Sequence, residues 1–478
     1  MPAQSQSDII IQSLWDELQR LMESQAALIK APTQEGLEML ASAHAALGQR
    51  INALYSEVTA LWTNTVLQPQ DLQKAKDSMQ ELRVVQRQLG VLHDEFEAIM
   101  SVGVGAPATA VVTAARPGAA LVIRRQPFPH VFRKGEQMGE QECVVVKLIP
   151  STLSIDVMTI MSQVRVQVVG DSAHQGSSSS SAARALVTHE LIQPTAVSLD
   201  PVMLTARFPL HFLDGTKNAP VALKFSLQVL IHGTVSVTLE SELSAPFVVM
   251  THKDQWKGAA GAMLKRESFI RSFEVPWPLI ANVLQAQFLR STKQALPTEI
   301  HRPLSDFDLM YLSKRFFGGR AVVDQGQFEA FWEWFGTTMD TLRHQRPVLA
   351  LWWQGLVYGF ASKEDVDIAL RNEAPGTFII RFSETFPGSF AIAYASVEGV
   401  KHYHVTPQDH ALHKTLPDFI IYHSQFTNVL QLQIIQDPVS GQTRLQLVRV
   451  NKVAAFESFC SKKTTQPRPI VPGYSELV

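Results

Sequence analysis

Between residues 37 and 61, apolar side chains return at alternating steps of three and four: Leu37, Leu40, Leu47, Ile51, Leu54, Val58 and Leu61, with His44 filling the one gap. That spacing is a heptad seam, the stripe by which one helix packs lengthwise along another. The preceding segment repeats it with Ile11, Leu14, Leu18, Leu21 and Leu28. The following segment does so with Leu72, Ala75, Met79, Leu82, Leu89, Phe96 and Met100, interrupted by Gln86 and His93. Pro32 and Pro69 mark the joints, since proline tolerates the first turn of a helix but not its interior. Residues 1–115 are therefore expected to form a coiled-coil-like helical bundle. Its first hundred residues hold 7 basic and 13 acidic side chains, which reads either as a docking surface or as an ordinary solvated exterior.

From about Leu121 the period drops to two. Runs such as Cys143 to Leu148, Val164 to Val169, Leu223 to Leu230 and Val235 to Leu239 alternate as half-buried strands do. Turn residues separate them at modest intervals, and Ser177 to Ser181 fall in a stretch expected to be a flexible loop. Residues 116–254 are read as an immunoglobulin-like β-sandwich. Helical periodicity returns over residues 255–346, dense in aromatics such as Phe328, Phe331, Trp332, Trp334 and Phe335. Aromatics at that spacing are expected to be core, so this segment is read as a helical linker.

The 478 residues suggest about three domains of roughly 150 residues each. The 42 basic and 44 acidic side chains leave a net charge of −2, so bulk charge advertises no polyanion partner. Cys143 and Cys460 make no zinc motif and no disulfide framework, which fits a reducing compartment. No apolar run is long enough to span a membrane, and the first residues lack the pattern of a secretory signal. The stretch Gly103 to Ala108 matches a dinucleotide fingerprint in letters only, because it follows a helix and contains Pro107. His402, His404, His410, His413 and His423 invite a metal reading, but a zinc site needs further ligands that no spacing here supplies. No catalytic constellation, cofactor site or metal site is expected.

The most informative stretch is Gly376-Thr377-Phe378-Ile379-Ile380-Arg381-Phe382-Ser383-Glu384-Thr385. An arginine inside an apolar strand is unfavourable unless it has a partner. Ser383 and Thr385 add hydroxyls at the strand end, and a planar guanidinium beside hydroxyls suits a phosphate. The same residues also suit an arginine paired with a structural carboxylate, and chemistry alone leaves the two readings equal.

This segment resembles the phosphotyrosine-binding core of a Src-homology-2 (SH2) domain. The helix from Ser362 to Arg371 before it, the strands Phe390 to Ser396 and Gly399 to His404 after it, and a second helix near Leu416 to Ser424 match that order. With Phe331-Trp332-Glu333-Trp334-Phe335 and Gly355 to Phe360, the form is similar to the SH2 domain of the STAT family, the signal transducers and activators of transcription. The resemblance extends over nearly the whole chain, as a core fragment with a shortened helical bundle. It implies a multidomain α + β protein: helical bundle, sandwich, linker, an SH2 domain over residues 347–460 with a central antiparallel sheet flanked by two helices, and a phosphotyrosine tail over 461–478. It implies that Arg381 holds the phosphate, aided by Lys363, Ser383 and Thr385, with His402 and His404 on the strand beside it. Tyr474, in Pro472-Gly473-Tyr474-Ser475-Glu476-Leu477, resembles the tyrosine that the family phosphorylates. DNA contacts are implied at Arg133, Lys134, His252 and Lys253, although residues 121–254 hold 11 basic and 11 acidic side chains.

Two functions follow. The first is a transcription factor that an upstream tyrosine kinase phosphorylates, that pairs with itself through phosphotyrosine, binds double-stranded DNA and moves from cytoplasm to nucleus. The second is a phosphotyrosine adaptor in which the sandwich is only a spacer. Neither is an enzyme, and neither inserts in a membrane.

Overall fold

The three seams become three helices: α1 (Gln6–Lys30), α2 (Gln34–Asn64) and α3 (Pro69–Val102). The computed structural model describes residues 6–461, apart from positions 32, 103–117, 129, 141, 153–157, 171–187, 218, 232, 234, 271, 295–300, 407–408, 410–412, 414 and 437–442. The serine run and the glycine-rich stretch after Val102 lie outside the described residues. Thr33 caps α2 by accepting from the Gly36 amide at 3.2 Å, satisfying one of the orphan donors of a helix start. The α2 seam is buried as far as Val58, but then Trp62 is buried and Leu61 is 47% exposed. A helix of 3.6 residues per turn drifts against a strict seven-residue repeat, so the inward position moves on by about one residue after several turns. The helix α3 buries Val85, Leu92 and Ile99 in the bundle core besides the expected seam, and Met100 is exposed. It also packs against the sandwich, where Gln80 Nε2 donates to the Ile123 carbonyl at 3.1 Å.

The polar gaps in two seams meet each other. His44 Nε2 lies 3.0 Å from Gln25 Oε1, and Gln25 Nε2 donates to the Leu92 carbonyl (3.1 Å) and to Glu95 Oε2 (2.6 Å). Burial lowers the pKa of His44 to about 4, with His93 contributing, so the ring is neutral near pH 7.

The sandwich contains β1 (Ala119–Arg125), β2 (Val131–Arg133), β3 (Val144–Pro150), β4 (Met158–Ile160), β5 (Val164–Gly170), β6 (Ile192–Gln193), β7 (Ala196–Val197), β8 (Thr205–Phe208), β9 (His211–Phe212), β10 (Val221–Ile231), β11 (Val235–Glu240) and β12 (Val248–Met250). One sheet has the order β1-β3-β8, and another β11-β10-β5-β7 with β4 also on β10. Along β10, Val221, Leu223, Phe225, Leu227, Val229 and Ile231 are all buried in one core with the inward residues of β3 and β5. This is the period of two that the sequence carries.

Two compact units divide the chain, with residues 1–65 and 71–263 in one and residues 66–70 and 264–478 in the other. The second unit holds the end of α4 (Trp256–Ser268), then β13 (Glu274–Pro276), α5 (Trp277–Ser291), α6 (Asp306–Phe317), β14 (Val322–Asp324), α7 (Gln325–His344) and α8 (Arg346–Trp353). Phe317, Phe328, Phe331 and Phe335 are almost wholly buried, as expected of core aromatics. Next come α9 (Lys363–Leu370), β15 (Thr377–Phe382), β16 (Phe390–Ser396), β17 (Gly399–His404), α10 (Leu416–Tyr422), β18 (Asn428–Gln436), β19 (Thr443–Asn451) and α11 (Lys452–Phe456). The five-stranded sheet has the order β17-β16-β15-β18-β19 and is antiparallel except for the β15–β18 pair, which is parallel.

Helix α9 buries Val366 and Leu370 against Ile379 of β15, whereas Phe419 of α10 joins a ring cluster with Phe426, which stacks on Phe378. Neighbouring residues of a strand point to opposite faces, so the two helices cover opposite faces of the sheet. Arg381 shares the α9 face with Ile379.

Candidate functional site

The register of the sheet sets two rows of side chains on the α9 face. Arg381 of β15 stands opposite Ala391 of β16, and Ala391 stands opposite His404 of β17. The next row is Ile379, Ala393 and His402. Opposed residues share a face, so Arg381 and His404 flank Ala391 in one row, while in the next row Ile379 and Ala393 are wholly buried with Val366 and Leu370 of α9.

Arg381 is 5% exposed. Its Nη1 donates to the carbonyls of Ala361 (3.3 Å) and Phe382 (3.2 Å) and lies 3.5 Å from Glu384 Oε2. Its Nε has no hydrogen-bond partner among the described residues. Burial lowers its pKa, opposed by the Glu384 carboxylate, yet an arginine stays charged. A buried guanidinium with an unused donor is costly without a ligand and well matched to an anion that accepts two parallel hydrogen bonds.

The other expected residues divide. Ser383 is buried at the strand end, and its Oγ accepts from the Phe386 amide at 3.1 Å, which leaves its own proton to donate. Lys363 is exposed at the start of α9, and its backbone amide donates to Glu384 Oε2 at 3.2 Å. Thr385 is exposed on the turn after β15. His402 Nε2 lies 2.7 Å from Asp367 Oδ1, and burial lowers its pKa against the pull of that carboxylate. His404 stacks on Phe386 with ring centroids 4.3 Å apart. Tyr474 and His410 lie outside the described residues.

Three residues were missed by sequence reasoning. Glu384 accepts from Arg315 Nη1 (2.9 Å) and from the Tyr311 hydroxyl (3.3 Å), both on α6, and Arg315 Nη2 also donates to the Glu384 carbonyl at 2.6 Å. Burial, with Glu384 next, raises the pKa of Tyr311, so its hydroxyl stays protonated and able to donate. Arg315 and Glu384 are 69 positions apart, and only the folded chain joins them.

His423 stacks on Phe426 (4.0 Å between centroids) and His413 on Tyr422 (6.1 Å). Among the described residues no group of three or more histidine, cysteine or acidic side chains is placed to hold a metal. No described helix is long and apolar enough to cross a membrane.

At the sandwich, β12 runs parallel to β2 with Met250 opposite Arg133, and the Lys134 amide donates to the Met250 carbonyl at 2.8 Å. Arg133 and Lys134 at the end of β2 therefore lie beside His252 and Lys253, just past the end of β12, and all four are exposed. Acid accompanies them: Lys134 Nζ pairs with Asp214 at 2.9 Å, and the Arg133 amide donates to Glu136 at 2.8 Å.

Family models match along the chain. A Dictyostelium STAT coiled-coil model matches residues 3–107, a STATa immunoglobulin-like domain model 119–250, an EF-hand fold domain model 252–345 and an SH2 domain model 357–432. In the EF-hand match the turns 269–276 and 318–324, joined by the β13–β14 ladder, carry one carboxylate each, Glu274 and Asp324. A calcium loop needs about twelve residues and several oxygen ligands, so these turns do not fit that ion. Signal transducer and activator of transcription A of Dictyostelium discoideum is 39% identical over 450 residues, which is 92% of this chain and 59% of that protein. Signal transducer and activator of transcription B of the same organism is 33% identical over 470 residues, 93% of this chain and 40% of that protein. The chain thus spans less than two thirds of the length of either relative.

Proposed function

Since the chain belongs to the STAT family, we propose that it is a signalling transcription factor, not an enzyme, which a tyrosine kinase switches by phosphorylating Tyr474. The observation that carries this reading is Arg381: buried on a strand, short of one hydrogen-bond partner among the described residues, and in one row with Ala391 and His404. Arg381 takes the phosphate in a bidentate pair. The Ser383 hydroxyl and Lys363 add donors, Thr385 lies at the rim, and His402 and His404 line the far side of the ring. Phosphorylation gives the tyrosine about −1.5 to −2 charge and three acceptor oxygens, which match those donors.

The tail runs about 14 residues from Cys460 to Tyr474, at most about 50 Å when extended. Pro467, Pro469 and Pro472 favour an extended path, so the pocket of a second copy is the target. Two tails exchange in a self-complementary pair, and effective concentration makes the second contact tighter than the first. In this reading residues 1–115 are the coiled coil, 116–254 the DNA-facing sandwich, 255–346 the linker, 347–460 the SH2 domain and 461–478 the tail. The dimer binds double-stranded DNA through the end of the sandwich holding Arg133, Lys134, His252 and Lys253, and it moves from cytoplasm to nucleus. The Lys134–Asp214 pair favours the competing reading, an adaptor without DNA binding. Mass in solution tests the switch: the phosphorylated chain is expected to be a dimer at concentrations where Tyr474→Phe is a monomer. An equally strong dimer from Tyr474→Phe contradicts it.

A further inference from the structure

The pocket already holds an anion. Glu384 gathers donors from four directions: Arg315 and Tyr311 from the linker helix α6, the Lys363 amide at the start of α9, and Arg381 from β15. Two guanidinium groups, a phenol and a helix-terminal amide are the donors that a phosphate selects. We propose that Glu384 is a resident anion which the phosphate of phosphotyrosine displaces, and that Arg315 then becomes the phosphate's second guanidinium ligand. The inference rests on Arg381 being the phosphate-binding residue, as proposed above.

Three observations support the exchange. The Glu384 carboxylate is held by Arg315 and Arg381 together, so it stands between the two cations that a dianion would bridge. Arg315 has a second anchor, the Glu384 backbone carbonyl, which stays in place when the side chain swings out. Its guanidinium also lies 5.3 Å from the Phe316 ring centroid and 5.7 Å from that of Trp334. The cation is thus fixed at the pocket mouth before any ligand arrives, which lowers the ordering penalty of binding. A phosphate carrying about two negative charges outcompetes a carboxylate carrying one at the same pair of cations. Because Arg315 belongs to the linker, occupancy of the pocket alters a linker contact directly.

The test is fluorescence polarisation of a labelled peptide of residues 469–478 phosphorylated on Tyr474, titrated with the full chain at low salt. Glu384→Gln keeps the shape and removes the competing charge, and it is expected to bind at least threefold more tightly than the natural chain. Adding Arg315→Gln to that variant is expected to weaken binding at least threefold, because the phosphate loses a ligand. A melting curve checks that each variant folds. If Glu384→Gln does not fold, Arg315→Gln alone carries the test, with a threefold loss expected. Unchanged or weaker binding by folded Glu384→Gln, or no effect of Arg315→Gln, overturns the exchange and leaves the Arg381 pocket standing. No binding by the natural chain overturns the pocket and this inference with it.

Discussion

Arg302 and Arg381 are both buried in the second unit, at 3% and 5% exposure, and both touch the segment that leads into α9, yet their surroundings differ in kind. Arg302 donates from Nη1 to the carbonyls of Trp352 (3.0 Å) and Val357, and from Nη2 to that of Tyr358 (2.7 Å). Its guanidinium lies 3.8 Å from the Trp352 ring centroid, and the buried carboxylate of Asp308 offsets its charge. Asp308 in turn accepts from the Phe360 amide at 2.9 Å. Space is tight enough that a side chain at Gly359, whose φ is +123°, would come within 2.5 Å of Asp308. Burial lowers the Arg302 pKa to about 10, which leaves it charged at neutral pH. Arg381 has two carbonyls, a carboxylate at 3.5 Å and an Nε with no partner among the described residues. A buried cation whose donors are used by the chain holds structure. One left with an unused donor is set for a ligand.

The largest effect separates these roles through stability. Asp308→Ala leaves Arg302 buried without its compensating charge and frees the Phe360 amide, and it is expected to destabilise the second unit by about 3–5 kcal/mol in denaturant unfolding. A loss under about 1 kcal/mol would place Arg302 with Arg381 and break the distinction. The smallest effect concerns a third class of cation, the exposed group on the sandwich. Arg133→Ala with Lys134→Ala is expected to leave stability within about 0.5 kcal/mol. It should weaken binding to DNA of any sequence and flatten its salt dependence by about one unit of log–log slope per residue. An unchanged affinity in the double variant would mean that this end of the sandwich does not face DNA.

How much of this could be read from the sequence follows the same division. Arg381 stood out because a charge in an apolar strand is visible one residue at a time. The heptad seams were equally local, and α1 to α3 follow them, apart from the drift from Leu61 to Trp62 and the second stripe on α3. Arg302 could not be read this way, since its partners are backbone carbonyls 50 or more positions away that carry no residue identity. The pairing of Glu384 with Arg315 could not be read locally, since it needs the linker packed against the sheet. The parallel β15–β18 pair was missed because β18 reaches β15 only after the chain passes through α10. At the sandwich, the register of β2 and β12 gathers the four expected residues but adds Asp214 and Glu136, which nothing in the local sequence associates with them.

The distinction between the two buried arginines is tested most directly by calorimetric titration of Arg381→Lys with the phosphorylated peptide of residues 469–478, alongside its melting curve. Lysine keeps the charge and removes the planar fork. The account predicts at least a tenfold loss of affinity, more than about 1.4 kcal/mol, with the melting temperature close to that of the natural chain. A dissociation constant equal to that of the natural chain would contradict it.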